Sequence, residues 1–150
     1  MRGKMKNQVI VDKSLPKNLP LLMKDRAWNY GDYVCQRARN KDGKYVSYTY
    51  KETYSDILAF AIAMQEIGVK RGSHVGLIAD NRREWLVTDL ALLSLGAADV
   101  PRGCDTMSTE ICYILDYADC LHSFFENGKQ LEKLLDNADK APNVKTAILF

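Results

Sequence analysis

Three short polar clusters each follow an apolar run: Asp80-Asn81-Arg82, Arg102-Gly103-Cys104-Asp105 and Glu126-Asn127. Carboxylate, amide and guanidinium groups can bind and orient a polar or anionic substrate. In an open α/β sheet, ligands gather at the carboxyl ends of strands. Asn81, Arg82, Arg102 and Asp105 are therefore the candidate substrate-binding residues. Plainer roles compete with this one. Asn81 suits a helix cap, and Arg102 and Asp105, on either side of a glycine, suit a local ion pair. Cys104, Cys112 and Cys120 recur at a spacing of eight, with His122 two residues on. A zinc site needs tetrahedral convergence of its ligands, and these fall on a loop, a helix and a strand. No metal site and no catalytic residue is expected within the chain. No G-x-S-x-G elbow occurs, no G-x-G-x-x-G follows the 74–79 run, and no G-x-x-x-x-G-K-[ST] is present. Phosphate activation requires concentrated positive charge at developing anionic oxygens, and these residues offer no such cluster.

The elements that must position those clusters are legible from periodicity. Residues 74–79 read as a buried strand through Val75, Leu77 and Ile78. Asn81-Arg82-Arg83-Glu84 fits a capping box, and Trp85, Leu86, Leu90 and Leu93 follow at helical spacing until Gly96 stops the helix. A second short strand, 97–100, is closed by Pro101. Strand, helix and strand make a βαβ unit with parallel strands. Downstream, Ser108 is a plausible N-cap for a helix carrying Ile111, Ile114, Leu115 and Ala118. A strand over 120–125 follows. Asn127-Gly128-Lys129-Gln130 then opens a helix with Leu131, Leu134, Leu135 and Ala138, and a last strand begins at Val144. Upstream, a helix near Leu21, Leu22, Ala27 and Trp28 is expected to face a core with those residues. Two strands flank Asn40-Lys41-Asp42-Gly43 as a hairpin, since Asp-Gly supplies the positive φ of a tight turn. Thr49-Tyr50-Lys51-Glu52 caps a helix that presents Tyr54, Ile57, Leu58, Ala61 and Ile62 on one face. The fold class is α/β: an N-terminal hairpin and helix, then a doubly wound, mainly parallel βαβ sheet.

The run DNRREW before a helix, and LLSLGAADVP after it, resembles the N-terminal region of the adenylate-forming (AMP-binding) synthetases, nearest the long-chain fatty acyl-CoA synthetase branch. The resemblance extends from about Pro20 to Phe150. It implies a parent enzyme that activates a fatty acid with ATP and Mg²⁺ as an acyl-adenylate and passes the acyl group to CoA. It also implies that the phosphate-holding loop and catalytic lysine of that family lie outside these residues, so the chain alone is expected to be inactive. Two departures stand out. Ser73 replaces the aspartate usual in that turn, and Arg102-Gly103-Cys104-Asp105 replaces an apolar or proline-rich loop. The apolar ending Ala147-Ile148-Leu149-Phe150 suggests truncation of a larger domain, with the rest of the parent chain as partner.

Composition narrows the class further. The 150 residues are 47% hydrophobic with a formal charge of +2, which speaks against nucleic-acid binding. Charge is uneven: residues 1–26 carry seven Lys/Arg against Asp12 and Asp25. Residues 1–19 read as a basic, disordered leader, with weak adherence to anionic lipid as its alternative role, and 20–150 as the folded part. There is no secretory h-region and no ~20-residue apolar span. Four cysteines without a C-x-x-C pair point to reduced thiols and a cytoplasmic location, membrane-peripheral if the leader binds lipid. The competing reading is a non-catalytic, flavodoxin-like regulatory or interaction domain, which would use an acid cluster at strand ends plus a lysine; Asp99 and Lys145 are poorly placed for it.

Overall fold

A computed structural model describes residues 14–150. The expected disorder and lipid contact of the leader fall largely on residues 1–13, outside the described residues. The described chain runs α1 (Leu19–Asn29), β1 (Val34–Arg39), β2 (Tyr45–Thr49), α2 (Tyr50–Glu66), β3 (His74–Ile78), α3 (Arg83–Leu95) and β4 (Ala98–Arg102). It continues with α4 (Ser108–Tyr117), β5 (His122–Phe125), α5 (Gly128–Leu135), a 3₁₀ turn (Ala138–Lys140) and β6 (Thr146–Leu149). Strands β4-β3-β5-β6 form a sheet in that order, parallel throughout, and β1 and β2 form a separate antiparallel hairpin. The expected α/β class and parallel alternation are present.

Local chemistry sets these boundaries. At the hairpin turn Gly43 takes φ 75°, and the Asn40 side chain accepts from the N–H groups of Asp42 and Lys44. Thr49 forms the full capping box of α2: its hydroxyl accepts from Glu52 N–H at 3.2 Å while the Glu52 carboxylate accepts from Thr49 N–H at 2.8 Å. Gly96, at φ 72°, closes α3 in the left-handed conformation that only glycine enters cheaply. Asn127 caps α5 by accepting from Gln130 N–H at 3.2 Å, but the reciprocal half of that box is missing, with Gln130 Oε1 buried and unpartnered.

Several expectations need correction. The Asn81–Glu84 box does not form. Arg82 is the N-cap of α3 without a side-chain cap bond, and Glu84 instead accepts from Arg82 Nε at 2.7 Å. A charge-assisted bond to guanidinium outcompetes a single backbone N–H. Ser108 lies inside α4, and Met107 is its N-cap. Pro101 does not end β4 but lies in it opposite Leu77, which is tolerated because β4 is an edge strand. In α2 the buried stripe is Thr53, Ile57, Ala61 and Met64, so Leu58 and Ile62 face outward. In α1 only Met23 is buried; Leu21 and Trp28 point away from the core, with Trp28 86% exposed. Because each helical residue turns ~100°, docking Met23 carries Leu21 and Trp28 to the opposite side.

Two apolar layers sandwich the sheet. On one face α2 and α3 bring Met64 and Leu92 against Val75, Leu77 and Phe124, with Trp85 half-buried among them. On the other, α4 and α5 bring Ile111, Leu115 and Leu134 against Ile78 and Phe125. Covering both faces is what a parallel sheet requires. Gly76 lies in the middle of β3, where a Cβ would meet Leu115 Cδ2 at 2.4 Å and Ser123 Oγ at 2.5 Å.

Candidate functional site

The chain leaves the adjacent strands β3 and β5 toward opposite faces, since α3 packs on one layer and α5 on the other. That divergence opens a crevice at their carboxyl ends, the position where α/β sheets take ligands. Its walls are tied together by main-chain and side-chain hydrogen bonds. Asp80 N–H donates to Glu126 Oε2 at 2.8 Å, and Arg82 Nη1 donates to Glu126 O at 3.2 Å. The β4–α4 loop joins through Cys104 N–H, which donates to Asp80 Oδ1 at 2.9 Å. Lys133 of α5 fixes the same loop by donating to the carbonyls of Cys104 and Thr106 at 2.7 and 2.8 Å.

Of the four candidates, Asn81 and Arg82 lie together in a polar cleft of about 760 Å³ between the crevice and the hairpin, facing Gln36, Arg39 and Tyr48. Asn81 and Arg102 both line a second, more open depression of about 550 Å³, together with Trp85 and Pro101. Asp105 lines neither cavity: its carboxylate folds over Gly103, where a Cβ would meet Oδ1 at 2.8 Å. Arg102 donates to Pro101 O at 2.6 Å, and no Arg102–Asp105 ion pair forms among the described residues. The hydrogen bond from Arg82 holds the Glu84 carboxyl below its ordinary range, and the same bond, offset in part by burial, raises the Arg82 guanidinium. Arg83 stacks 4.0 Å over the Tyr48 ring and donates to Asp56, while its Nε is buried without a partner. Gln36 Oε1 is likewise buried and unpartnered in the wall of the larger cleft.

Asp80, Cys104 and Glu126 belong to three separate strand ends in the sequence and come together in the fold. Their ligand atoms lie within 4.8 Å of one another. Burial and a hydrogen bond to Glu126 push the Cys104 thiol up, so it stays protonated at neutral pH. A thiol beside two carboxylates does not suit Mg²⁺, which asks for octahedral oxygen. Nor do these strand ends gather the positive charge a triphosphate needs: two carboxylates, Asp80 and Glu126, lie together there, and Arg82 is already engaged by Glu84. Cys112 and Cys120 are buried in the core, and burial carries the Cys120 thiol up to about 11. All four cysteines are free. His74 Nδ1 lies 2.8 Å from Ala118 O, and His122 Nδ1 is buried without a partner.

Comparison with known proteins places this geometry. A model of the family described as "AMP-binding enzyme" matches residues 23–150. The long-chain-fatty-acid–[acyl-carrier-protein] ligase AEE15 of Arabidopsis thaliana is 27% identical over 134 residues, which are 89% of this chain and 18% of that protein. The long-chain-fatty-acid–CoA ligase ACSBG2 of Xenopus laevis is 28% identical over 136 residues, 90% of this chain and 18% of its own length. The chain thus spans under a fifth of these curated relatives. Among solved structures, the N-terminal domain of FACL13 from Mycobacterium tuberculosis superposes with a TM-score of 0.76 at 19% identity, over 87% of this chain and 33% of that one. A long-chain-fatty-acid–CoA ligase (FadD1) from Archaeoglobus fulgidus gives 0.72 at 20% identity, over 85% and 26%.

Proposed function

Because this chain belongs to the AMP-binding enzyme family, we propose that it is the N-terminal part of a fatty acid–CoA ligase. In this reading the parent protein uses ATP and Mg²⁺ to convert a fatty acid to an acyl-adenylate, then transfers the acyl group to CoA with release of AMP and pyrophosphate. The observation that carries the reading is the alignment of about nine-tenths of the chain with long-chain ligases. The described residues then supply about a third of an adenylate-forming N-terminal domain: a sheet with its switch-point crevice, and polar walls bearing Asn81, Arg82 and Arg102 toward substrate. The positive charge that phosphoryl chemistry demands must come from elsewhere in the parent. The isolated chain is accordingly inactive. Its location is cytoplasmic, in keeping with four free cysteines.

Carboxylate-dependent ATP–pyrophosphate exchange tests this directly. With palmitate and Mg²⁺ the 150-residue chain should exchange no faster than a blank, while a protein extended through the downstream coding sequence should exchange. Exchange by the short chain would refute the division of labour. An extended protein that adenylates only non-fatty carboxylates would refute the substrate class.

A further inference from the structure

We propose that Asp80, Cys104 and Glu126 form a binding site for a divalent cation of the zinc class, with a fourth coordination position left to water. Their ligand atoms, one carboxylate oxygen each from Asp80 and Glu126 and Sγ of Cys104, all lie within 4.8 Å of one another. Ligands ~2.0–2.3 Å from a tetrahedral ion stand ~3.3–3.8 Å apart, so the three close on an ion by movements of ~1.5 Å or less. Asp80 is 24 residues from Cys104 and 46 from Glu126. The parallel register brings them together, by setting Ile78 beside both Arg102 and Phe125.

Each ligand is already oriented by the main chain. Asp80 Oδ1 accepts from Cys104 N–H at 2.9 Å, and Glu126 Oε2 accepts from Asp80 N–H at 2.8 Å. Lys133 secures the same loop through the carbonyls of Cys104 and Thr106. Outer bonds of this kind are what orient the ligands of a metal site. The Cys104 thiol hydrogen-bonds Glu126, so a proton now lies between the sulfur and carboxylate that an ion would bridge. No basic side chain pairs with the carboxylates: among the described residues neither Asp80 nor Glu126 is in a salt bridge. The Lys133 ammonium is spent on carbonyls, and Arg82 donates to Glu84 and to the main-chain oxygen of Glu126. Asp105 adds a further negative charge beside them. Its Oδ1 and that of Asp80 lie 2.8 and 3.3 Å from the point where a Gly103 Cβ would stand.

The ligand types choose the ion. A thiolate disfavours the hard ions Mg²⁺ and Ca²⁺, and two carboxylates disfavour Cu(I). Zinc accepts mixed sulfur and oxygen ligands, and with three protein ligands it keeps a position for water. Binding forms a metal–sulfur bond and expels the thiol proton to solvent, with no change of oxidation state. Cys104 and Glu126 are half-buried and Asp80 is exposed, so the ion can enter without unfolding. The inference rests on these three strand ends and not on the ligase reading.

Cadmium titration of the whole chain, kept reduced without added thiol, tests the site, because a Cd²⁺–thiolate bond absorbs in the ultraviolet. The absorbance should rise to one equivalent; Zn²⁺ should reverse it and Mg²⁺ should not. Cys104→Ser should abolish the band, while Cys35→Ser, at the other partly exposed thiol, should keep it. Asp80→Asn and Glu126→Gln retain an oxygen for the same N–H groups, so the loops hold. Each should still weaken zinc at least ~10-fold in competition with a chromophoric chelator. Zinc should raise the thermal midpoint of the unsubstituted chain and not that of Cys104→Ser. Absence of a saturable band, a band that survives Cys104→Ser, zinc affinity unchanged in both amide variants, or a midpoint that zinc raises equally in Cys104→Ser would each overturn the proposal.

Discussion

Gly76 is where one added methyl tests the packing most sharply. It sits in the middle of β3, between β4 and β5, and a Cβ there would lie 2.4 Å from Leu115 Cδ2, 2.5 Å from Ser123 Oγ and 3.0 Å from Ser123 Cβ. Leu115 and Ser123 are both 0% exposed, so neither can swing into solvent to make room. Overpacking of this kind costs ~1–3 kcal/mol, offset by the ~0.4–1 kcal/mol an alanine gains by restricting the unfolded chain. Contact from two sides puts the overpacking at the upper end of that range, so Gly76→Ala should show a net loss of ~1–2.5 kcal/mol after the offset. The partner substitution sharpens the test. Ser123 Oγ is buried without a partner, so Ser123→Ala should be neutral or mildly stabilising while removing the contact at 2.5 Å. The two changes should therefore couple, with the double variant recovering ~0.5 kcal/mol or more of the loss. Urea unfolding followed by far-ultraviolet circular dichroism, read as midpoints at constant slope, gives all four corners of the cycle. A neutral Gly76→Ala, or strict additivity with Ser123→Ala, would show that the β3–β5–α4 packing described above is wrong.

Other perturbations separate the roles assigned to individual side chains. Leu90→Ala empties a site that is 6% exposed and should cost ~2–5 kcal/mol, whereas Glu84→Ala breaks only a partly exposed pair with Arg82 and should cost ~0.2–1 kcal/mol; urea midpoints ranked the other way would refute the register of α3. Thr49→Ala removes a formed capping box and should cost ~0.5–2 kcal/mol, read in the same assay, while Asn81→Ala should leave the midpoint nearly unchanged. Burial, with Asp99 beside it, lifts the Asp89 carboxyl from its ordinary 3.8 to about 6. A folded-state value above the unfolded one means the stabilisation is fully present below about 3.8 and is lost as pH rises through 6, so midpoints should fall between pH 4 and pH 7 and Asp89→Asn should flatten that fall. Cys120, wholly buried with its thiol raised to about 11, should resist Ellman's reagent in the native chain and react only on unfolding.

Secondary structure was legible where one local interaction decides it. Gly43 and Gly96 mark their turns because a positive φ admits few other residues, and Thr49 marks its helix because the hydroxyl has no better partner than Glu52. The same spacing at Asn81 failed. There the intervening Arg82 offers Glu84 a guanidinium, and the box dissolves into an ion pair. Helical faces were legible to within about one residue's rotation. The inward stripe of α2 runs through Thr53 and Met64 rather than Leu58 and Ile62, because a sheet and a neighbouring helix, not the helix's own apolar count, choose which side is covered. Trp28 shows the extreme of this. Its size argued for a core, and a single docked residue, Met23, turned it outward.

The site was legible as a place but not as a set of contacts. The rule that ligands sit at strand ends located the crevice from the sequence, since it needs only the order of strands and helices. Which side chains face one another there depends on loop paths that periodicity does not encode. Asp105 and Arg102 are three residues apart, yet one folds over Gly103 and the other caps Pro101 O. Asp80 and Glu126 are 46 residues apart and meet through a 2.8 Å bond, because the parallel register sets Ile78 beside Phe125. That register is fixed by buried side chains on both faces of β3 and β5, so the crevice inherits its geometry from the core beneath it. A substitution that slips β5 by one residue would pull Glu126 from Asp80 before touching any residue of the cleft itself.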